Sequence, residues 1–219
     1  MGPDPASLDL ARTSVFLDFD GTITLVDTGI HLLERLGRPG WEAVDAEFRR
    51  GEIPSRVCLL DEWDLLEPDE ATMTAVAREV PVDPATPALV AGLRAAGAEV
   101  TIVSDGFGFR AREVAAELGV PILTNAVDWA TGRLEFPHAD QRCACSSCGT
   151  CKQAPIKEAK RAGRTTVLVG DGASDVKAAL LADVVFAKDT LADWCAAQAV
   201  AFVPFTTLAD VAGALGLEV

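Results

Sequence analysis

Apolar and polar positions follow two different rhythms along this chain, and the change from one to the other divides it. Residues 14–17 form a short apolar run, as a buried strand requires, which stops at Asp18 before a turn at Gly21. From Ile30 the spacing becomes helical: Ile30, Leu32, Leu33 and Leu36 fall on one face, and Gly37 stops the helix. Further short helices fit 41–50, 54–64 and 69–78, with Pro54 suited to a first turn and Asp69 to a cap. Nothing between Leu25 and Val80 reads as a strand, and 80–87, punctuated by Pro81, Pro84 and Pro87, reads as a linker. Trp41, Phe48, Leu59, Leu60 and Trp63 are expected to pack inside this helical segment.

Beyond the linker, strands and helices alternate. A helix over 87–96 precedes a strand over 99–103 that ends in Ser104-Asp105-Gly106. A helix over 109–118 and a strand over 121–126 follow. A strand over 165–169 then runs into Gly170-Asp171-Gly172-Ala173-Ser174-Asp175, with a helix over 175–182 and a strand over 184–187. This pattern predicts an α/β fold: a mainly parallel sheet with helices on both faces. Residues 1–24 and 83–219 are expected to form the core, 25–82 an inserted helical unit, and 127–151 a Cys-rich insertion within the core.

Asp18, Ser104 and Asp171 each fall at the C-terminal end of a predicted strand, the edge where open α/β sheets bind ligands. Taken singly, each has an ordinary reading: a turn at Asp18-Phe19-Asp20-Gly21-Thr22, and a helix cap at Ser104 or Asp175. Together they supply what attack on a phosphate monoester needs. A carboxylate approaching a phosphoryl group meets repulsion of roughly 4 kcal/mol per unit pair at about 4 Å. A dianion doubles that, slowing reaction by about six decades. Cations and donors must offset it: a divalent ion, a lysine, hydroxyls and backbone N–H groups. Asp18 is the candidate nucleophile and metal ligand, Asp20 the general acid and base. Ser104 and the N–H of Gly106 are candidate phosphate donors, Asp171 a metal ligand, and Asp175 a support for the metal's water or for the lysine.

These signals in this order resemble the haloacid dehalogenase superfamily of aspartate-nucleophile phosphatases. The residues that carry the resemblance are Asp18-x-Asp20-Gly21-Thr22, Ser104, a later Lys, and Gly170-Asp171-Gly172-x-x-Asp175. It implies a Rossmann-like sheet, phosphoryl transfer, Mg2+ held at Asp18, Asp20 and Asp171, and a cap made by 25–82 that closes over the site. Phe136-Pro137-His138, the Cys-rich run, and Cys148-Gly149-Thr150-Cys151-Lys152 resemble the methionine-salvage branch, the 2-hydroxy-3-keto-5-methylthiopentenyl-1-phosphate phosphatase type near the phosphoserine phosphatases. That likeness makes Lys152 the phosphate-contacting lysine, with Lys157 the runner-up. Asp105 departs from the branch, which commonly has a second Gly there, and phosphocholine and phosphoethanolamine phosphatases share a Cys-rich segment.

Composition narrows the partners. The net charge of −14 disfavours nucleic acid and anionic membranes, and no apolar run is long enough to span a bilayer. A cytoplasmic protein, monomer or homodimer, acting on a small phosphorylated metabolite is the expectation. Cys143, Cys145, Cys148 and Cys151 sit close enough to hold a structural Zn2+, reduced thiols and disulfides being the alternatives; Cys58 and Cys195 read as core. His31 and His138 read as surface or packing residues. A phospho-accepting module without turnover is the competing class, disfavoured by Asp20 and by the long helical insertion.

Overall fold

The computed structural model describes residues 4–140 and 147–218. Six strands make one parallel sheet in the order β3-β2-β1-β6-β7-β8, from β1 (Thr13–Leu17), β2 (Glu99–Val103), β3 (Ile122–Leu123), β6 (Thr165–Gly170), β7 (Val184–Ala187) and β8 (Val203–Pro204). The predicted mainly parallel sheet with helices on both faces is thus the observed architecture.

Every residue of β1 is buried, because alternate side chains feed opposite layers. Val15 and Leu17 join one apolar cluster with Val167 and Val169 of β6; Phe16 joins the other with Leu168. The first layer is closed by α5 (Thr86–Ala95), α6 (Phe109–Leu118) and α10 (Leu208–Ala214), through residues such as Leu89, Leu93, Val114 and Val211. The second is closed by α7 (Gln153–Arg161), α8 (Val176–Ala179) and α9 (Asp189–Ala197), through Ile156, Ala178 and Leu191.

Four helices, α1 (Thr28–Leu36), α2 (Trp41–Arg49), α3 (Ser55–Trp63) and α4 (Glu70–Ala77), leave the sheet after β1. Pro54 caps α3 rather than entering its first turn, and the Asp69 carboxylate caps α4 by accepting the Thr72 N–H at 2.8 Å. The segment read as a linker is partly paired backbone: Leu25 N–H donates to Pro81 O, Asp83 N–H donates to Ile23 O, and Thr24 bridges Val82. Leu32, Leu33, Leu59, Trp63 and Met73 form a third apolar cluster, which also takes in Phe107 and Leu134. Of the side chains expected to pack there, Leu59 and Trp63 are buried, but Leu60 is 40% exposed.

The strand expected over 121–126 is broken. Two residues pair with β2, and the chain then turns at Thr124 and Asn125 into an antiparallel hairpin, β4 (Ala126–Asp128) and β5 (Arg133–Glu135). The turn is fixed from inside: the Asn125 amide donates to Gly106 O at 2.8 Å, and Arg112 donates to the carbonyls of Thr124 and Asn125. The helix expected over 175–182 starts as a 3-10 turn, Ala173–Asp175, and continues only as α8. No helix among the described residues is long and apolar enough to cross a membrane.

Candidate active site

Strand register brings the candidate residues together. Leu17 is the partner of Ile102 on one side and Val169 on the other, so Asp18, Ser104 and Asp171 emerge at the same sheet edge. Strand order reverses beside β1, the place where such sheets open a crevice. The Asp18 N–H still continues the ladder to Val169 O at 2.9 Å, which fixes its side chain at the strand end.

Asp18 is 5% exposed. Its Oδ1 accepts the Phe19 N–H at 2.7 Å and lies 2.7 Å from Lys152 Nζ. Lys152 also donates to Asp175 Oδ1 at 2.7 Å and to Ser174 Oγ at 2.8 Å. Asp175, fully buried, accepts the N–H groups of Asp171 and Gly172 on its other oxygen, so one carboxylate holds both the lysine and the loop after β6. Lys157 in α7 makes no hydrogen bond or ion pair with these carboxylates among the described residues; Lys152 is the lysine at the site.

Carboxylate oxygens of Asp18, Asp171 and Asp175 all lie within 4.8 Å of one another. Three acids facing one lysine leave an excess of negative charge, and the titrations follow from it. Burial and then the Asp175 charge push the Asp18 carboxyl well above its ordinary value, against the pull of Lys152. Burial and then Asp175 raise Asp171 to about 7, against the Thr22 hydroxyl that donates to it at 2.7 Å. Burial works against the charged form of Lys152, but Asp175 and Asp18 outweigh it and keep the ammonium protonated. A divalent cation would relieve the crowding, and a carboxylate set of this kind suits a hard, oxygen-seeking ion.

Asp20, expected among the metal ligands, contributes no carboxylate oxygen to that group. It accepts the Thr28 N–H at 3.0 Å and faces Ser104 Oγ at 3.5 Å, beside the first turn of α1. Its backbone carbonyl accepts no hydrogen bond among the described residues. Burial and the nearby Asp27 raise the Asp20 carboxyl to about 7. The Gly106 N–H, the candidate phosphate donor, donates to Ser104 Oγ at 3.2 Å. A Cβ on Gly106 would stand 2.4 Å from Asp20 Oδ2, and one on Gly21 2.3 Å from Asp171 Oδ2, so both turns need the bare backbone.

Asp18, Asp20, Gly21, Gly106 and Asp171 line a cavity of about 460 Å3 whose far wall comes from α1, α2 and α3, while Ser104, Lys152 and Asp175 lie buried behind them. Phe48, Arg49, Cys58, Leu59 and Glu62 face it; Phe48, expected inside the helical packing, lies on this wall and outside the apolar cluster of these helices, while Cys58 is buried as expected. Glu62 is 6% exposed, and burial raises its carboxyl to about 8. Its place on the wall was missed in the sequence, where an acid on the Cys58-Leu59-Glu62-Trp63 face was the available signal. Asp45, Asp27 and Asp189 also face the cavity and were missed.

Cys143 and Cys145 of the expected zinc set lie outside the described residues. Cys151 is buried with its N–H on His138 O, Cys148 Sγ lies 3.8 Å from Lys177 Nζ, and the one group of acidic, His or Cys ligands that can share an ion among the described residues is the Asp18 set; zinc finds no support there. His31 pairs with Glu79 at 3.0 Å, a surface contact as expected.

The chain is similar to known proteins over most of its length. A 2-hydroxy-3-keto-5-methylthiopentenyl-1-phosphate phosphatase of Exiguobacterium sibiricum is 28% identical over 207 residues, 90% of this chain and 93% of that protein. The protein of the same description from Geobacillus kaustophilus is 30% identical over 208 residues, 92% of this chain and 94% of that protein. Among solved structures, a phosphoserine phosphatase from T. onnurineus superposes with a TM-score of 0.72 at 21% identity, covering 96% of this chain and 98% of that one. A phospho-aspartyl intermediate analogue of phosphoserine phosphatase gives 0.71 at 19% identity over 94% and 99%; at these identities both show the shared fold. Residues 15–180 match the family described as haloacid dehalogenase-like hydrolase, and the chain belongs to that family.

Proposed function

We propose that this hydrolase cleaves a phosphate monoester of a small metabolite by way of an aspartyl phosphate on Asp18. The observation that carries the reading is the strand-end Asp18 held by Lys152 within the Asp18, Asp171 and Asp175 group. As a phosphoric monoester hydrolase it must bring a carboxylate to a phosphoryl group. Phe19 N–H and Lys152 hold Asp18 Oδ1 and so set the direction from which the carboxylate attacks phosphorus. The ester oxygen leaves with the proton of Asp20, whose raised titration keeps that proton available near neutrality. The resulting Asp20 carboxylate then takes a proton from water as its oxygen bonds to phosphorus, and the bond from phosphorus to Asp18 breaks. Ser104, fully buried beside Asp20, supplies a hydroxyl to the phosphoryl oxygens. Asp18, Asp171 and the Asp20 carbonyl are the oxygens that would hold Mg2+, which supplies charge neutralisation at phosphorus when bound.

In this reading 25–82 is a cap over the edge of a core built from 1–24 and 83–219, and the protein works in the cytoplasm. The named activity of the relatives makes 2-hydroxy-3-keto-5-methylthiopentenyl-1-phosphate the first substrate to test. A second reading is favoured by Asp45 and Glu62 on the cavity wall: a phosphoserine- or phosphoethanolamine-like ester whose leaving group carries an amine. Phosphate release measured over a panel of these esters with Mg2+ decides between them. Release from none of them, together with a single burst and no turnover, would favour the phospho-accepting module instead.

A further inference from the structure

Asp105 lines the cavity and has no part in the chemistry above, yet its carboxylate accepts three hydrogen bonds. Its Oδ2 accepts the Ser55 hydroxyl at 2.6 Å, from the first residue of α3. Its Oδ1 accepts the Thr150 N–H at 2.6 Å and the Asn125 amide at 3.3 Å. Three of roughly four lone-pair sites are therefore taken, which leaves little for a substrate. Thr150, itself buried, donates its hydroxyl to Asn125 Oδ1 at 3.1 Å, so Asp105, Asn125 and Thr150 close a small network. The backbone lies flat on it: a Cβ on Gly149 would stand 2.5 Å from Asp105 Oδ1.

Two residues after Thr150 comes Lys152. The same loop is gripped from the side of α3. The Arg56 N–H donates to Ser147 O at 3.1 Å, its guanidinium donates twice to Cys148 O at 2.8 and 3.2 Å, and it stacks 5.3 Å from the Phe136 ring. Residues 147–150 are thus held between the first turn of α3 and Asp105, immediately before the side chain that reaches Asp18.

We propose that Asp105 is a positioning residue for Lys152, fastening the loop that carries the lysine to α3 through Ser55 on one oxygen and Thr150 on the other. The assignment rests on the phosphatase reading of the cleft. Losing the acceptor frees a buried N–H and the loop with it, and a shift of about 1 Å in a charged group at the reacting atoms costs on the order of 100-fold.

The test is steady-state hydrolysis of p-nitrophenyl phosphate with Mg2+, with circular dichroism and thermal midpoints as the check on folding. Asp105→Ala lowers kcat about 10- to 100-fold with KM within about twofold. Asp105→Asn restores most of it, because the amide oxygen still accepts from Thr150 and the NH2 can donate to the Ser55 hydroxyl. Ser55→Ala lowers kcat about three- to tenfold, the worth of one hydrogen bond, and adds nothing to Asp105→Ala. The proposal is overturned if Asp105→Ala keeps kcat within about twofold, if the loss lies in KM, or if Asn does no better than Ala. Should Asp105→Ala not fold, Asp105→Asn and Ser55→Ala decide: near-wild-type kcat in the first with a loss in the second supports the assignment, and an unchanged kcat in the second overturns it. An inactive wild type would instead strike the phosphatase reading itself.

Discussion

Lys152 Nζ sits 2.7 Å from Asp18 Oδ1, with both side chains at most 6% exposed. The lysine is the cation that lets a carboxylate end a buried strand, and Asp175 at the same distance shares it. Breaking a buried pair leaves an uncompensated charge, at a cost of about 3–5 kcal/mol. Lys152→Met should therefore lower the thermal midpoint by on the order of 10 °C at pH 8 without Mg2+. The loss should be smaller at pH 5, where Asp18 can take up a proton. A midpoint unchanged at pH 8 would mean that the pair carries no weight in the fold.

The acidic group makes stability depend on pH and on metal together. Asp171 titrates at about 7 in the fold against 3.8 as its ordinary value, and Asp20 likewise. A raised carboxyl binds its proton more tightly in the folded state, so stability falls as pH rises from about 4 to about 7. Metal-free protein should melt lower at pH 8 than at pH 5. Mg2+ should raise the midpoint more at pH 8, because it binds the ionised acids; EDTA should remove both that gain and the activity. Equal Mg2+ effects at the two pH values, or activity indifferent to chelation, would count against a metal at these oxygens.

Glu62 offers an independent test on the cavity wall. Its carboxyl is raised to about 8 by burial, and no Lys or Arg pairs with it among the described residues. Its ionisation costs stability above its ordinary value of 4.5, and that cost is complete above about 8. Glu62→Gln should thus melt higher than wild type at pH 9 and the same at pH 4. A lower midpoint at pH 9 would show that the charged form is held by a partner.

How much of this was legible in the chain depends on the range of the forces. Strands 99–103 and 184–187 and the helix 109–118 have the bounds their apolar spacing predicts, because burial on the sheet dictates that spacing directly. The strand over 121–126 was misread because its end is set at a distance, by Arg112 and by the amide of Asn125 against Gly106. The hairpin of β4 and β5 has three residues in each strand, too few for alternation to register. The strand-end acids were legible from position. That Asp20 turns its carboxylate to Thr28 and Ser104, leaving Asp175 beside Asp18 and Asp171, is set by side-chain packing that spacing does not encode.

Glycine at 106 is a sharper test of that geometry. A Cβ there would press on Asp20 Oδ2 at 2.4 Å, so Gly106→Ala must displace the proposed general acid or the turn that holds Ser104. It should lower kcat at least about 10-fold, the usual contribution of a positioned acid being 10²–10⁴. Wild-type kcat in Gly106→Ala would remove Asp20 from the proposed role.

The central claim is a covalent bond between phosphorus and Asp18. The most direct measurement is acid quenching during turnover of a radiolabelled phosphate ester, followed by counting label on the denatured protein. Wild type should carry label that hydroxylamine releases, as an acyl phosphate requires. With an aryl ester such as p-nitrophenyl phosphate, whose leaving group needs no proton from Asp20, Asp20→Asn, unable to activate water, should accumulate more, and Asp18→Asn should carry none. Label that persists in Asp18→Asn, or turnover with no labelled protein in either wild type or Asp20→Asn, would contradict it.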